Sequence, residues 1–348
     1  MTHPRLSLAL QAPDALPPQG RIAVFRPPGG TDLSDLPQDR LHLIQGFRPD
    51  FDALSARGFD VGAEVQGTYA AAVVFLPRAK AEARAILAEA CQRVSPGGPV
   101  WVDGAKHDGV DSVLKDLRQR LPVSAPIAKA HGKIFCFAAD PAALADWQGR
   151  EFAPAPGFVT VAGVFSADAV DRGSALLAAV LPDHLPARVA DLGAGWGWLA
   201  AQVLARKGVE ELHLIEADHA ALACARRNVT DPRARFHWAD ATRFEPEARL
   251  GAVVMNPPFH TTRAADPGLG AAFIRAAGAM LSLSGTLYMV ANRHLPYEEA
   301  LRAAFHEIEE IGGDGAFKVI RAAKPIVGAA RAPAPAAASR RRVARARR

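Results

Sequence analysis

The tetrapeptide Asn256-Pro257-Pro258-Phe259 directly follows the apolar run Gly251-Ala-Val-Val-Met255, and its residue types suit a corner that holds a planar NH2 group. A proline has no N–H and a φ locked at about −65°, so a strand ending in two of them leaves a stiff turn rich in backbone acceptors. The Asn256 side-chain oxygen and the Pro257 carbonyl would accept the two hydrogens of an exocyclic amine, while Phe259 would offer a face on which a base can stack. The same four residues also fit a plain proline turn, so their meaning depends on what surrounds them.

From Ala187 onward, short β-like runs alternate with helix-like ones, the pattern of a parallel sheet with crossover helices. A strand over 188–191 leads into Leu192-Gly193-Ala194-Gly195-Trp196-Gly197-Trp198, where glycines allow a tight turn against a ligand, although G-x-G-x-G alone is a weak signal. A second strand over 211–215 ends at Glu216, placed to accept both hydroxyls of a ribose, or simply a solvated strand-end acid. After a helix over 219–228, a third strand over 235–238 ends at Ala239-Asp240-Ala241; Asp240 would accept from an adenine N6 amine or cap a turn. The fourth strand delivers Asn256. Four consecutive strands therefore end, at the carboxyl edge of one sheet, in residues useful to a nucleoside and then to an acceptor amine. A helix over 271–283, a stop at Ser284-Gly285, a strand over 286–290, a helix over 297–311 and a late strand over 317–320 complete the pattern.

At 348 residues the chain is long enough for two domains. No run reaches the length of a membrane span, and the N-terminal Leu6-to-Leu10 run is broken at Gln11, so a cytoplasmic protein without a signal peptide or membrane segment is expected. Cys91, Cys136 and Cys224 lie far apart, which suggests neither a disulfide framework nor a metal site. From Arg331 onward there are seven arginines and no acid, so the net charge of +5 becomes −2 for residues 1–330. The tail over 329–348, made largely of Ala, Pro and Arg, is expected to be disordered; it would add salt-sensitive phosphate contacts or serve only as a solubilising extension.

The succession of a glycine-rich turn after Asp191, then Glu216, Asp240 and Asn256-Pro-Pro-Phe259, resembles the class I S-adenosylmethionine-dependent methyltransferases. Within that superfamily, five segments resemble the bacterial small-subunit ribosomal RNA guanine-N2 methyltransferases and their large-subunit relatives. They are Pro156 to Ser174 (with Gly163-Val-Phe-Ser166, Asp168, Asp171 and Gly173-Ser174), Asp191 to Gly197, Asn256 to His260, Val290 to Tyr297 and Phe317 to Ala322. Together they span essentially residues 156–325. Trp196 and Trp198 depart from the pattern by their bulk.

The resemblance implies S-adenosylmethionine as cofactor, held by Asp191, Gly193, Ala194, Gly195, Gly197, Glu216, Asp240, Ala241 and Asn256. It implies a catalytic corner of Asn256, Pro257, Pro258 and Phe259, with no metal. Ribosomal RNA or the small ribosomal subunit would be the partner, and the chain would act as a monomer. Phe165 would cover the cofactor or form a buried staple; His260 has no catalytic role.

The first half echoes the second. Ala71-Ala-Val-Val74-Phe-Leu-Pro77, a helix over 79–94, Ser95-Pro-Gly-Gly98 and Val100-Trp-Val102 repeat Gly251 to Pro257, a helix, Ser284-Gly285 and Leu287-Tyr-Met289. Gly132 to Phe135 echoes Ala316 to Ile320. In that alignment Leu76 stands opposite Asn256, where it cannot accept a hydrogen bond, and no G-x-G-x-G is present. The expected fold class is α/β, with two tandem Rossmann-like methyltransferase domains of which the N-terminal one is degenerate: residues 1–150, then a catalytic domain over 156–328 and the tail.

The expected reaction is in-line displacement, in which a guanine N2 amine oriented by two acceptors takes the sulfonium methyl group without prior deprotonation. The corner alone equally suits adenine N6 or a protein glutamine amide, and a noncatalytic RNA-binding or ribosome-assembly factor is the reading from another class. Cysteine-mediated base methylation is disfavoured because Cys224 lies mid-helix.

Overall fold

The computed structural model describes residues 4–258 and 267–326. They build two seven-stranded sheets. The first contains β1 (Ile22–Phe25), β2 (Leu41–Ile44), β3 (Val61–Gly62), β4 (Ala71–Phe75), β5 (Pro99–Ala105), β6 (Ile127–Lys129) and β7 (Gly132–Ala138), in the order β3-β2-β1-β4-β5-β7-β6. A two-stranded ribbon of β8 (Glu151–Phe152) and β9 (Thr160–Val161) follows. The second sheet contains β10 (Arg188–Leu192), β11 (Glu211–Glu216), β12 (Ala234–Trp238), β13 (Leu250–Met255), β14 (Leu281–Asn292), β15 (Phe305–Gly313) and β16 (Phe317–Pro325). Its order, β12-β11-β10-β13-β14-β16-β15, is the same permutation, and in each sheet a single strand, β7 or β16, second from the end of the order, runs antiparallel to the others.

The strands of the second sheet's parallel core read as nearly continuous apolar runs because helices cover both faces. Helices Pro267–Met280 and Glu298–Ala304 pack on the face of Leu192, Val253 and Met255. Helices Arg172–Val180, Trp198–Leu204 and His219–Asn228 pack on the face of Val189, Leu214 and Val254. β10 and β13 are neighbours, with Leu192 opposite Met255, and the chain leaves them toward opposite edges of the sheet. Such a switch point leaves a crevice beyond the carboxyl ends of its two strands. The glycine turn follows β10 there, and Asn256 follows β13.

Face parity corrects the alignment of the two halves. Phe25, Ile44 and Val74 pack on the side of the helix that follows β4 (Lys80–Arg93); Leu192, Ile215 and Met255 pack on the side of the helix that follows β13. With Phe25 opposite Val74 in one sheet and Leu192 opposite Met255 in the other, Val74 corresponds to Met255 and Phe75 to Asn256, one residue from the register expected. A one-residue slip in a strand would turn every side chain to the wrong face. Phe75 lacks an acceptor as Leu76 does, so the first half still carries no group that could orient an amine.

Two other expectations change. The helix expected over 297–311 is a short helix, Glu298–Ala304, followed by the edge strand β15. Ile308 and Ile311 mimic a helical stripe, but Glu309 stands opposite Arg321 of β16 and the acids face outward, the charged surface that keeps an edge strand from pairing further. Ser284-Gly285, expected to stop a helix, lies within β14, whose register against β13 shifts between Leu250 and Ala252. Among the described residues no helix is long and apolar enough to cross a membrane.

Gly197 caps helix Trp198–Leu204 in the left-handed conformation, φ 87°. A Cβ there would stand 2.9 Å from Val229 Cγ2 and 3.2 Å from Ala225 Cβ, so this glycine serves helix packing, not ligand approach. Gly197→Ala is expected to lower stability by about 2 kcal/mol or more, read as a lower urea midpoint.

Candidate active site

A narrow crevice of about 40 Å³ opens between the ends of β10 and β13. Asp191, Gly193, Ala194, Gly195 and Asn256 line it, joined by Asp171 and Ser174 from the start of helix Arg172–Val180 and by Phe165, Ser166, Trp196, Trp198 and Leu199. Proline corner and glycine turn therefore share one crevice.

Asn256 is oriented by its neighbours. Its Nδ2 donates to Asp171 Oδ2 at 2.7 Å and to Ser174 Oγ at 2.9 Å, while Oδ1 is buried and has no hydrogen-bond partner among the described residues. A flipped amide would set its oxygen against the Asp171 carboxylate, so these contacts decide which end of the amide is open. Asp171 is itself held in place as the N-cap of its helix, accepting from the Ser174 backbone N–H. A buried, unpaired acceptor costs free energy that an incoming N–H would recover. Pro257 is buried and Pro258 exposed; Phe259 and His260 lie outside the described residues, as does the arginine-rich tail.

The crevice favours positive charge. Asp191 is fully buried with both carboxylate oxygens unpaired among the described residues, and its pKa is pushed up to about 8 by burial and, secondarily, by Glu216. Glu216 is pushed up to about 7 by burial, against the lowering effect of backbone N–H donors. Its two oxygens accept from Gly195 N at 2.7 Å and Asp218 N at 2.8 Å. Among the described residues, no basic side chain lines the crevice. A fully buried carboxyl in the crevice with a second, partly exposed acid beside it, and no counter-charge lining the crevice among the described residues, suits a cationic ligand, whose arrival would make ionisation favourable. An ammonium beside Asp191 and a ribose diol beside Glu216 satisfy these groups, so the residues present fit S-adenosylmethionine.

The remaining expected residues divide. Gly193 and Ala194 tie the turn to β11 by donating to the Ile215 carbonyl. Gly195, at φ 56°, has no atom of the described residues within 4 Å of where a Cβ would stand, so their packing does not require a glycine and a methyl there would occupy space open to a ligand. Asp240 lies one strand beyond Glu216; its Oδ1 accepts from Thr242 N and Thr242 Oγ1, the turn-capping arrangement, and it lines no part of the crevice. Ala241 is buried in the core beneath it. Trp196 is accommodated by packing: its Nε1 donates to the Phe165 carbonyl and its ring meets the edge of Phe158, fastening the 158–167 segment to the glycine turn. Phe165 is 61% exposed, so it is not a buried staple.

Residues 156–321 match the family model of the methyltransferase small domain, and residues 41–145 match that of its N-terminal domain. The ribosomal RNA small subunit methyltransferase C of Shewanella halifaxensis is 31% identical over 260 residues, covering 71% of this chain and 75% of that protein. The chain belongs to this methyltransferase family. The corresponding protein of Shewanella amazonensis is 28% identical over 288 residues, covering 79% of this chain and 81% of its own. Among solved structures, a T. thermophilus 16S rRNA N2 guanine methyltransferase in complex with AdoMet and guanosine superposes with a TM-score of 0.74 at 26% identity, covering 92% of each chain. Family membership makes the chain an S-adenosylmethionine-dependent methyltransferase with a two-domain fold.

Asp171 and Ser174 were visible in the sequence only as part of a family-like segment, because Asp-x-x-Ser before a helix has the form of any N-cap. Their contact with Asn256, more than eighty residues away, exists only after folding.

Two outcomes follow for this crevice. Asn256→Ala should keep cofactor binding and lower the single-turnover rate by about a hundredfold or more; an unchanged rate would remove Asn256 from the reaction. Asp191 holds its proton more tightly folded than unfolded, so its stabilising contribution is complete below about pH 4 and is lost as pH rises through about 8. Calorimetry of the ligand-free protein should therefore show melting temperature falling across that window, with a shallower fall in Asp191→Asn, which should also bind cofactor more weakly.

Proposed function

We propose that this enzyme methylates the exocyclic N2 of a guanine in small-subunit ribosomal RNA. The observation that carries the reading is the Asn256 amide: Asp171 and Ser174 take its Nδ2, which leaves Oδ1 as a buried acceptor without a partner among the described residues, on a residue lining the crevice shared with the glycine turn. The family supports guanine as the base, since the superposable T. thermophilus enzyme is a 16S rRNA N2 guanine methyltransferase solved with guanosine.

When bound, S-adenosylmethionine would supply a methyl group on a positively charged sulfur, the S–CH3 bond breaking to leave the neutral thioether S-adenosylhomocysteine. The protein's own contribution is orientation. Asn256 Oδ1 and the Pro257 carbonyl accept the two N–H bonds of the guanine amine, bending the nitrogen toward a tetrahedral geometry with its lone pair directed at the methyl carbon. Both acceptors oppose the positive charge that builds on nitrogen during transfer, and the surplus proton leaves afterward to water. A strong base is not needed, and the open Oδ1 costs no reorganisation because Asp171 and Ser174 have already fixed it. The guanine leaves its stack to reach this corner, with Phe259 replacing part of the lost stacking.

The division of labour proposed is a catalytic domain over 156–328, an N-terminal domain over 1–150 that supports RNA engagement, and an arginine-rich tail that adds phosphate contacts, in a cytoplasmic monomer. Incubation with labelled cofactor and, separately, unmodified small subunits, large subunits, naked RNA and DNA tests this. Label should appear as N2-methylguanosine in a small-subunit substrate; N6-methyladenosine, or label in protein, would overturn the reading.

A further inference from the structure

The loop after β2 and the loop after β11 occupy equivalent places in the two halves, and they bond to each other. Gln45, at the end of β2, accepts from Phe47 N through Oε1 and donates through Nε2 to the Pro27 carbonyl in the loop after β1. Glu216, at the end of β11, accepts from Asp218 N two residues on and from Gly195 N in the loop after β10. Gln45 is thus the counterpart of Glu216, and Phe47 and Asp218 are the N-caps of equivalent helices, Arg48–Ser55 and His219–Asn228. Phe47 pairs with Asp218 in an antiparallel bridge. Arg48 N donates to the Ala217 carbonyl at 2.8 Å, and His219 N donates to the Gly46 carbonyl at 2.9 Å. Equivalent donors meet equivalent acceptors, the reciprocity of a local two-fold axis.

One asymmetric feature is added to this junction. The Trp238 indole N–H donates to the Ala217 carbonyl at 2.9 Å and reaches the Gly46 carbonyl at 3.2 Å, one acceptor from each half. Arg48 Nη1 donates to the Trp238 carbonyl at 3.0 Å, with the guanidinium 5.0 Å from that indole ring and its Nε held by Asp52. Phe51 and His219 meet the same ring edge-on. The segments gripped are Ala217 to His219, directly after Glu216, and Trp238, two residues before Asp240.

We propose that Arg48, with Trp238 as its receptor, is a positioning residue for the adenosine half of the cofactor site, so that the N-terminal half sets cofactor affinity. The inference rests on the reading above that Glu216 and Asp240 flank the adenosine. On that reading the nucleoside lies along the ends of β11 and β12, beyond the crevice lined by Asp191, the glycine turn and Asn256. Ala239 N bonding to the Glu216 carbonyl at 3.0 Å links those two ends, and Arg48 holds the outer one from the neighbouring half. Backbone pairing of Glu216 with Trp238 already joins the two ends within the second half, and the charged hydrogen bond from Arg48 adds a hold on the outer one from the first half before the ligand arrives.

The test uses the full chain and titration calorimetry with S-adenosylhomocysteine, beside steady-state kinetics on small subunits. Arg48→Ala and Trp238→Phe should each weaken binding about tenfold, with the loss falling on cofactor KM more than on kcat and with the KM for RNA unchanged. Arg48→Lys, which keeps charge but loses the planar fork, should recover part of the affinity. Arg120→Ala, which removes an ion pair with Asp146 inside the N-terminal half, controls for general destabilisation and should leave affinity unchanged. Unchanged affinity in Arg48→Ala and Trp238→Phe, or an equal loss in Arg120→Ala, overturns the proposal. Glu216→Ala separates the two readings: if it leaves affinity intact, the nucleoside assignment fails, whereas weak binding there with normal binding in Arg48→Ala sinks the brace alone.

Discussion

The chemistry of this protein depends on one amide being unable to turn over. Asn256 has a donor end and an acceptor end of nearly the same shape, and only the acceptor end is useful to an incoming amine. Asp171 Oδ2 and Ser174 Oγ take both hydrogens of the NH2 group, so a flip would exchange two attractive contacts for a carbonyl facing a carboxylate. What remains open is a buried oxygen with no partner among the described residues. Leaving it unsatisfied lowers stability, and that cost is the reason the corner is already in its working geometry before substrate arrives.

The same trade appears beside it in charge. Asp191, fully buried and without a hydrogen-bond partner among the described residues, and Glu216, which shares its field, are both held toward their neutral forms by burial. A fold selected for stability alone would replace them with apolar residues. Their presence follows if the crevice completes its electrostatics only with a cationic cofactor, which makes ligand binding and stability parts of one equilibrium.

The two halves show how a site is lost while its frame persists. Both sheets keep the strand permutation, and both keep a polar residue at the end of the second strand bonded to the backbone two residues on. In the first half that residue is Gln45, whose amide closes onto the Pro27 carbonyl, and Phe75 stands where Asn256 stands in the second. What the first half retains is the loop that meets its counterpart across a local two-fold axis, beside the proposed adenosine walls.

Much of this was legible in the sequence because it depends on neighbours along the chain. The glycines after β10, the acid ending β11, the helix over 219–228 and the proline corner after β13 are local patterns, set by backbone sterics and by alternation of apolar residues, and the α/β fold class follows from their succession. Locality also marks the limit. The isoleucines 308 and 311 read as a helical stripe until β16 supplied a partner strand, and the alignment of the two halves slipped by one residue until packing showed which face Val74 occupies. Gly197 looked like part of a ligand cradle, but its neighbours are Val229 and Ala225. Residue types and spacing by themselves determined which groups could do chemistry. Only the tertiary structure decided which atoms of Asn256 are engaged, which acids share the crevice, and that Arg48 reaches Trp238 across 190 residues, because each depends on contacts between segments whose separation in sequence carries no information about their distance in space.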